Sequence, residues 1–141
     1  MPVYLADTNV YVMAANDAAF GARFETFIRG HGPLLVSAIA VAEVLIGVAS
    51  HTRHAAVVQA IGAGTEIMEP TADDWITAGT ALARLGGDSV TKGRSFWNDA
   101  LLAAQCARLG AILVTQNAAD FRRLYRYVAV HAVPPFPAVV S

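Results

Sequence analysis

The sequence predicts an α/β domain on a central parallel sheet, and three observations carry that expectation. Short all-apolar runs, Val3 to Ala6 and Ala111 to Val114 above all, read as buried strands. Between such runs lie longer segments with helical apolar spacing, closed by glycine or proline. Strand and helix therefore alternate, the order that puts helices on both faces of a parallel sheet. At 141 residues the chain fits one domain, residues 1–141, and a domain of that size buries roughly 68% of its unfolded surface.

Val3 to Ala6 forms the first strand, stopped by Asp7-Thr8-Asn9, and Val10 to Ala15 a short helix. Phe20, Phe24, Phe27 and Ile28 recur at helical spacing up to Gly30 and Gly32, giving a second helix. Leu34 to Val36 reads as strand two, Ser37 as a cap, and Ile39 to Ala49 as a helix apolar nearly all round and so deeply buried. Thr52 to Ala63 is helical, with Val57, Val58 and Ile61 inward, and Thr65 to Met68 a third strand. Pro70 and Thr71 open a helix carrying Trp75, Ile76, Ala78 and Leu82, ended by Gly86-Gly87. After a basic loop, Ser95 caps a helix through Leu109, with Asp99 in its first turn and Gly110 at its end. Ala111 to Val114 is the next strand, Ala118 to Tyr125 a helix, and Val128 to Val130 the last strand.

Composition narrows the function classes. The single cysteine, Cys106, excludes a disulfide framework, points to a reduced, cytoplasmic setting, and reads as an inert buried thiol. With 10 basic and 11 acidic residues there is no global field for nucleic acid, only local patches. The amino terminus lacks a signal-peptide pattern. The apolar run Pro33 to Ser50 approaches bilayer length, but Glu43 at its centre and the absence of a flanking Lys/Arg cluster argue against a membrane span.

The chemistry lies in four acids: Asp7 after a buried strand, Glu43 in an apolar helix, Asp99 in an amphipathic helix and Asp120 beside Phe121. Each has a structural explanation: an Asx turn for Asp7, a helix dipole for Asp99, a capping box of Asp120 with Asn117. Glu43 resists one, because an ionised carboxylate among Ile39, Ala40, Ala42 and Ile46 needs a partner or a proton. If the four converge, a pair at ~4 Å repels by about 4 kcal/mol at an effective dielectric of 20, which demands a cation. An oxygen-only ligand set suits Mg²⁺ or Mn²⁺, one or two ions, and phosphodiester hydrolysis.

In chain order, Asp7-Thr8-Asn9, Glu43 within Ser37-x5-Glu43-x3-Gly47, Asp99 heading Asp-Ala-Leu-Leu-Ala-Ala, and Val114 to Phe121 resemble the motifs of the PIN-domain family. Length and layout most resemble its VapC toxins. The resemblance implies a PIN-like three-layer sandwich, a central parallel sheet of four to five short strands with helices on both faces. It also implies a metal-dependent endoribonuclease acting on RNA, a homodimer, and a VapB-type antitoxin that places an arginine among the acids. Carried over, Asp7, Glu43, Asp99 and Asp120 are the catalytic, metal-binding acids, with Thr115, Asn117 and Asn9 as their polar support. Asn98, next to Asp99, departs from the pattern.

Basic groups near these segments, Arg122 and Arg123 after Asp120 and Lys92 with Arg94 in the preceding loop, are candidate RNA phosphate contacts or plain solvated surface. Gly87 to Gly93 fails the phosphate-loop pattern because Lys92 precedes its glycine, and His51 with His54 lacks a third ligand nearby. Two other functions compete: a Mg²⁺-dependent phosphohydrolase with Asp7 as nucleophile, and a catalytically silent PIN-like interaction module. The first wants an acid where Asn9 stands.

Overall fold

The computed structural model describes residues 2–31, 34–63, 65–86 and 94–136, with backbone alone at 94 and 95. Along the chain come β1 (Val3–Ala6), α1 (Thr8–Asn16), α2 (Ala18–His31), β2 (Val36–Ser37), α3 (Ala38–Ile46), and, after a 3₁₀ turn at His51–Arg53, α4 (His54–Ile61). Then follow β3 (Ile67–Met68), α5 (Ala72–Leu85), α6 (Arg94–Leu109), β4 (Ala111–Val114), α7 (Ala118–Leu124) and β5 (His131–Val133).

All strand pairing is parallel among the described residues: β1 with β4, β4 with β5, β2 with β3. A single bridge between Leu5 and Leu35, with the Leu35 N–H donating to the Tyr4 carbonyl at 2.8 Å, joins the two pieces. The ribbon thus runs β3-β2-β1-β4-β5. The chain builds outward from β1 to β3, then returns to start the other half at β4. The carboxyl ends of β1 and β4 flank that switch point, where open α/β sheets leave a crevice.

Because side chains alternate along a strand, the sheet feeds two cores. Leu5 and Leu113 enter one with Leu82 of α5, Leu102 of α6 and Phe121 of α7; Ala6 and Val114 enter the other with Val10 of α1 and Phe20 of α2. Helices cover both faces, as the alternation predicts. Local signals set several boundaries. Ser37 caps α3 by accepting from the Ile39 N–H at 3.1 Å, Thr71 and Asp74 form the reciprocal capping box of α5, and Gly110, at φ 66°, closes α6 in the left-handed region.

Several expectations need correction. α6 already includes Arg94, so Ser95 lies within it and Asp99 falls in the second turn; arginine is a good helix former and Ser95 is not the stop the cap rule makes it. The last strand is His131–Val133 instead of Val128 to Val130, because the Val128 N–H donates back to Leu124 at 2.8 Å and closes the end of α7. Strand two is shifted to Val36–Ser37, Leu35 making only the bridge. α3 stops at Ile46 and is not deeply buried: only Ala40 and Val41 are fully enclosed, and Ile46 is 77% exposed. In α5, Asp74, Ala78 and Leu82 point inward while Trp75 and Ile76 are exposed. Phe136 packs on the phenylalanines of α2, Phe20, Phe24 and Phe27, at ring-centroid distances of 5.4, 5.8 and 4.9 Å.

Two buried polar groups hold the halves together. Ser37 Oγ donates to Gln105 Oε1 at 2.5 Å, and Gln105 Nε2 donates to the Met68 carbonyl at 3.0 Å, tying the ends of β2 and β3 to α6. Cys106 is enclosed, its thiol directed at the Ala111 carbonyl, and burial pushes it up to about 12, which makes it inert. No helix among the described residues is long and apolar enough to cross a membrane.

Candidate active site

Asp7 leaves the end of β1 and caps α1. Its Oδ1 accepts from the Thr8 N–H at 2.7 Å, and its Oδ2 from Thr115 Oγ1 at 2.8 Å and Asn9 Nδ2 at 3.3 Å. The Asx turn expected of it is not formed, since its side chain caps α1 through the N–H one residue on instead of two. Burial raises its pKa against these three hydrogen bonds, which all act to lower it.

Thr115, just past β4, is fully enclosed and organises the crevice. Its N–H donates to Val133 and its hydroxyl accepts from the Asn117 N–H at 3.0 Å and from Asn9 Nδ2 at 3.3 Å. Asn9 Oδ1 in turn accepts from the Gln116 N–H at 3.1 Å. One polar network therefore links the ends of β1 and β4 to the starts of α1 and α7.

Glu43 reaches the same network from α3. Thr8 Oγ1 donates to its Oε1 at 3.0 Å and Asn98 hydrogen-bonds its carboxylate. Its pKa is raised by burial first and then by the charge of Asp7. Asp99 on α6 is pushed up to about 7, first by burial and then by repulsion from Asp7, Glu43 and Asp120. Asp120, in the first turn of α7, is exposed, and Asn117 makes no side-chain cap bond there, so the expected capping box is not formed.

Among the described residues no lysine or arginine pairs with these four acids; the ion pair that does form there is Arg108 with Asp74, far along α6. Oxygen donors, mutual repulsion and lack of a protein cation fit a hard divalent ion in chemistry and charge. The side chains do not stand as a ready cage, because no three described His, Cys, Asp or Glu residues are close enough together to hold an ion. Thr8, as a partner of Glu43, was missed from sequence though it sits inside the first motif, whereas Asn98, whose part in the site the sequence leaves open, also bonds Glu43. Of the basic candidates, Arg122 and Arg123 are exposed, while Lys92 and the Arg94 side chain lie outside the described residues.

A second feature shares α3 with Glu43. α1, α2, α3 and α4 leave an apolar groove of 490 Å³ lined by Tyr11, Phe24, Ile28, Val44, Val57 and Ile61 among others, with Val44 directly following Glu43.

Fold and crevice together define a class: a parallel α/β domain that sets acids at its switch point. The sequence profile of the PIN domain matches residues 4–127, and the chain belongs to that family. No curated protein sequence matches it. Solved structures similar to it include DNA-bound VapBC from Salmonella typhimurium, 21% identical over 96% of this chain and 100% of that one, with a TM-score of 0.74. VapBC2 from Rickettsia felis bound to a promoter DNA fragment is 21% identical over 94% and 98% of the two chains, with a TM-score of 0.70. FitAB bound to the IR36 DNA fragment is 15% identical over 94% and 95%, with a TM-score of 0.65.

Proposed function

We propose that this chain is the toxin of a toxin–antitoxin pair, an endoribonuclease that hydrolyses RNA with Mg²⁺ or Mn²⁺ at Asp7, Glu43, Asp99 and Asp120. The observation that carries the reading is the electrostatic state of Asp99: half-buried, in the field of three other acids and, among the described residues, without a protein cation. When bound, the ion supplies the charge that offsets this repulsion and lowers the pKa of an attacking water. Thr115, Asn9, Thr8 and Asn98 hydrogen-bond the carboxylates of Asp7 and Glu43 and limit how far they must turn to meet an ion. Asp99, whose pKa is raised to about 7, would hold such an ion as its carboxylate. Arg122, Arg123, Lys92 and Arg94 are the candidate contacts to RNA phosphates.

The rival readings fit less well. As a nucleophile Asp7 is only 4% exposed and both its oxygens are engaged in hydrogen bonds. In a silent module the acids would serve as paired caps, yet Asp99 is left unpaired at a raised pKa. The apolar groove beside α3 suits a helical segment of a VapB-type antitoxin, whose arginine would reach the neighbouring acids; VapBC and FitAB, the similar structures, are themselves complexes. A cytoplasmic homodimer belongs to the same reading. The test is cleavage of single-stranded RNA with added Mg²⁺ or Mn²⁺ and with chelator; undiminished turnover in chelator overturns the metal mechanism, and absence of cleavage under every cation overturns the nuclease.

A further inference from the structure

α6 and α7 meet beside the acids, and each carries a second residue one turn away on the same face. Phe96 precedes Asp99 by three positions and Arg123 follows Asp120 by three, the spacing of neighbours on a helix surface. Asp99 feels the charge of Asp120, so the two faces look onto one place. There the Arg123 guanidinium lies over the Phe96 ring, 5.3 Å from its centroid. Phe96 is half-buried and Arg123 exposed. Among the described residues Arg123 makes no ion pair, although Asp120 stands one turn back on its own helix.

We propose that Arg123, steadied by Phe96, is a positioning residue that binds a phosphate of the RNA strand flanking the scissile bond. This rests on the ribonuclease reading above. A guanidinium carries its donors around the rim and none on its faces, so a face laid on a phenyl ring leaves the rim free for a phosphate. Stacking also fixes the direction of that rim, which a lysine at the same position cannot reproduce. The charge balance calls for such a group, because four carboxylates repel an incoming polyanion and a cation one turn from Asp120 draws the strand across the crevice. Arg122 sits about 100° further round α7, and no ring is found over its guanidinium among the described residues.

The experiment uses the full chain. Binding of a labelled single-stranded oligoribonucleotide is measured across salt on an Asp7→Asn background, and steady-state cleavage on the wild-type background. Arg123→Ala should weaken binding about tenfold, the scale of one charged hydrogen-bonded contact, and lower the salt slope by about 0.7. In cleavage it should raise KM more than it lowers kcat. Arg123→Lys should keep the slope and lose affinity, Phe96→Leu should behave like it, and Phe96→Trp should hold wild-type affinity. Arg29→Ala, which removes the same charge from α2, should change none of these. Wild-type affinity and slope in Arg123→Ala, in a protein that cleaves RNA, overturns the inference and leaves the ribonuclease standing. Wild-type affinity in Phe96→Leu overturns the part given to the ring. A wild-type protein that neither binds nor cleaves RNA overturns the ribonuclease reading itself and the inference with it.

Discussion

Asp7 and Asp74 are both enclosed carboxylates at the start of a helix, 4% and 2% exposed, and each accepts from backbone N–H and side-chain donors. Their charges are handled in opposite ways. At Asp74 burial acts to raise the pKa, but Arg108 Nε, at 2.9 and 3.1 Å from the two oxygens, and the Thr71 N–H hold it below the usual carboxylate value. At Asp7 three hydrogen bonds fail to offset burial, and the neighbouring charges, Glu43 and Asp99, are of the same sign. The difference separates an acid that a protein cation neutralises from one that stands without a counter-charge among the described residues, the one the proposed function assigns to the metal. Charge left uncompensated in a crevice is a state that only a cation or a proton relieves.

The largest expected effect tests the Asp7 end. Asp7→Asn and Asp99→Asn should each cut RNA cleavage by on the order of a thousandfold, the range reached by losing a catalytic acid–base group. Circular dichroism should show the fold intact, because each change removes charge and keeps shape. Wild-type turnover in both variants would place the chemistry elsewhere.

At the Asp74 end the prediction reverses. Asp74→Ala should destabilise the domain by about 2–4 kcal/mol through loss of the cap and of the pair to Arg108, with activity per folded molecule unchanged. Arg108 is 37% exposed, so Arg108→Met should cost less than Asp74→Ala. Urea unfolding measures both, and equal stability to wild type would show that the pair is idle.

pH sharpens the contrast. For Asp99 the folded pKa is raised from 3.8 to about 7, so the folded state binds the extra proton and stability from this group is present below 3.8 and lost as pH rises through 7. For Asp74 the folded pKa is lowered, so its contribution is present above 3.8 and lost as pH falls below it. Metal-free thermal midpoints should therefore decline towards neutral pH by an amount that Asp99→Asn removes, and Mn²⁺ should restore the midpoint above pH 7. Identical pH profiles for wild type and Asp99→Asn would refute the coupling. The smallest effect on activity belongs to Thr115→Val, which strips one hydrogen bond from Asp7, removes the acceptor of Asn9 Nδ2 and of the Asn117 N–H, and leaves the acids in place. Activity should fall about tenfold, with a stability loss of about 1 kcal/mol.

Much of this was readable along the chain. β1 and β4 are apolar runs stopped by Asp7 and Thr115, and a parallel sheet sends both stops to one end, which is why the acid motifs could be matched before any coordinates. Ser37 and the Thr71 box declared their helices through local hydrogen bonding. Harder to read were contacts set by long-range packing. Gln105 looks like an unremarked residue in an Ala-rich helix until Ser37 and Met68 arrive beside it. Thr71 three residues before Asp74 is a legible cap, but Arg108, 34 positions on, is not a legible partner. Val128 and Val130 are as apolar as a strand needs and are buried, yet the turn that closes α7 takes their backbone first. α3 reads as enclosed because its sequence is apolar on every side; the groove along Val44 leaves one side open.

The seam between the two halves of the sheet is thin, a single bridge at Leu5 and Leu35 backed by the Gln105 clamp. Glu43 rides on the β2–α3 side of that seam, and Asp7, Asp99 and Asp120 on the other. In hydrogen-exchange terms, the β2-α3-α4-β3 block should open as a unit below the global unfolding free energy, with the Leu35 amide reporting its opening. Each such opening would carry Glu43 away from the other three acids. Divalent cation, by holding all four, should slow exchange at Leu35 while leaving the amides between β1 and β4 at their own rate.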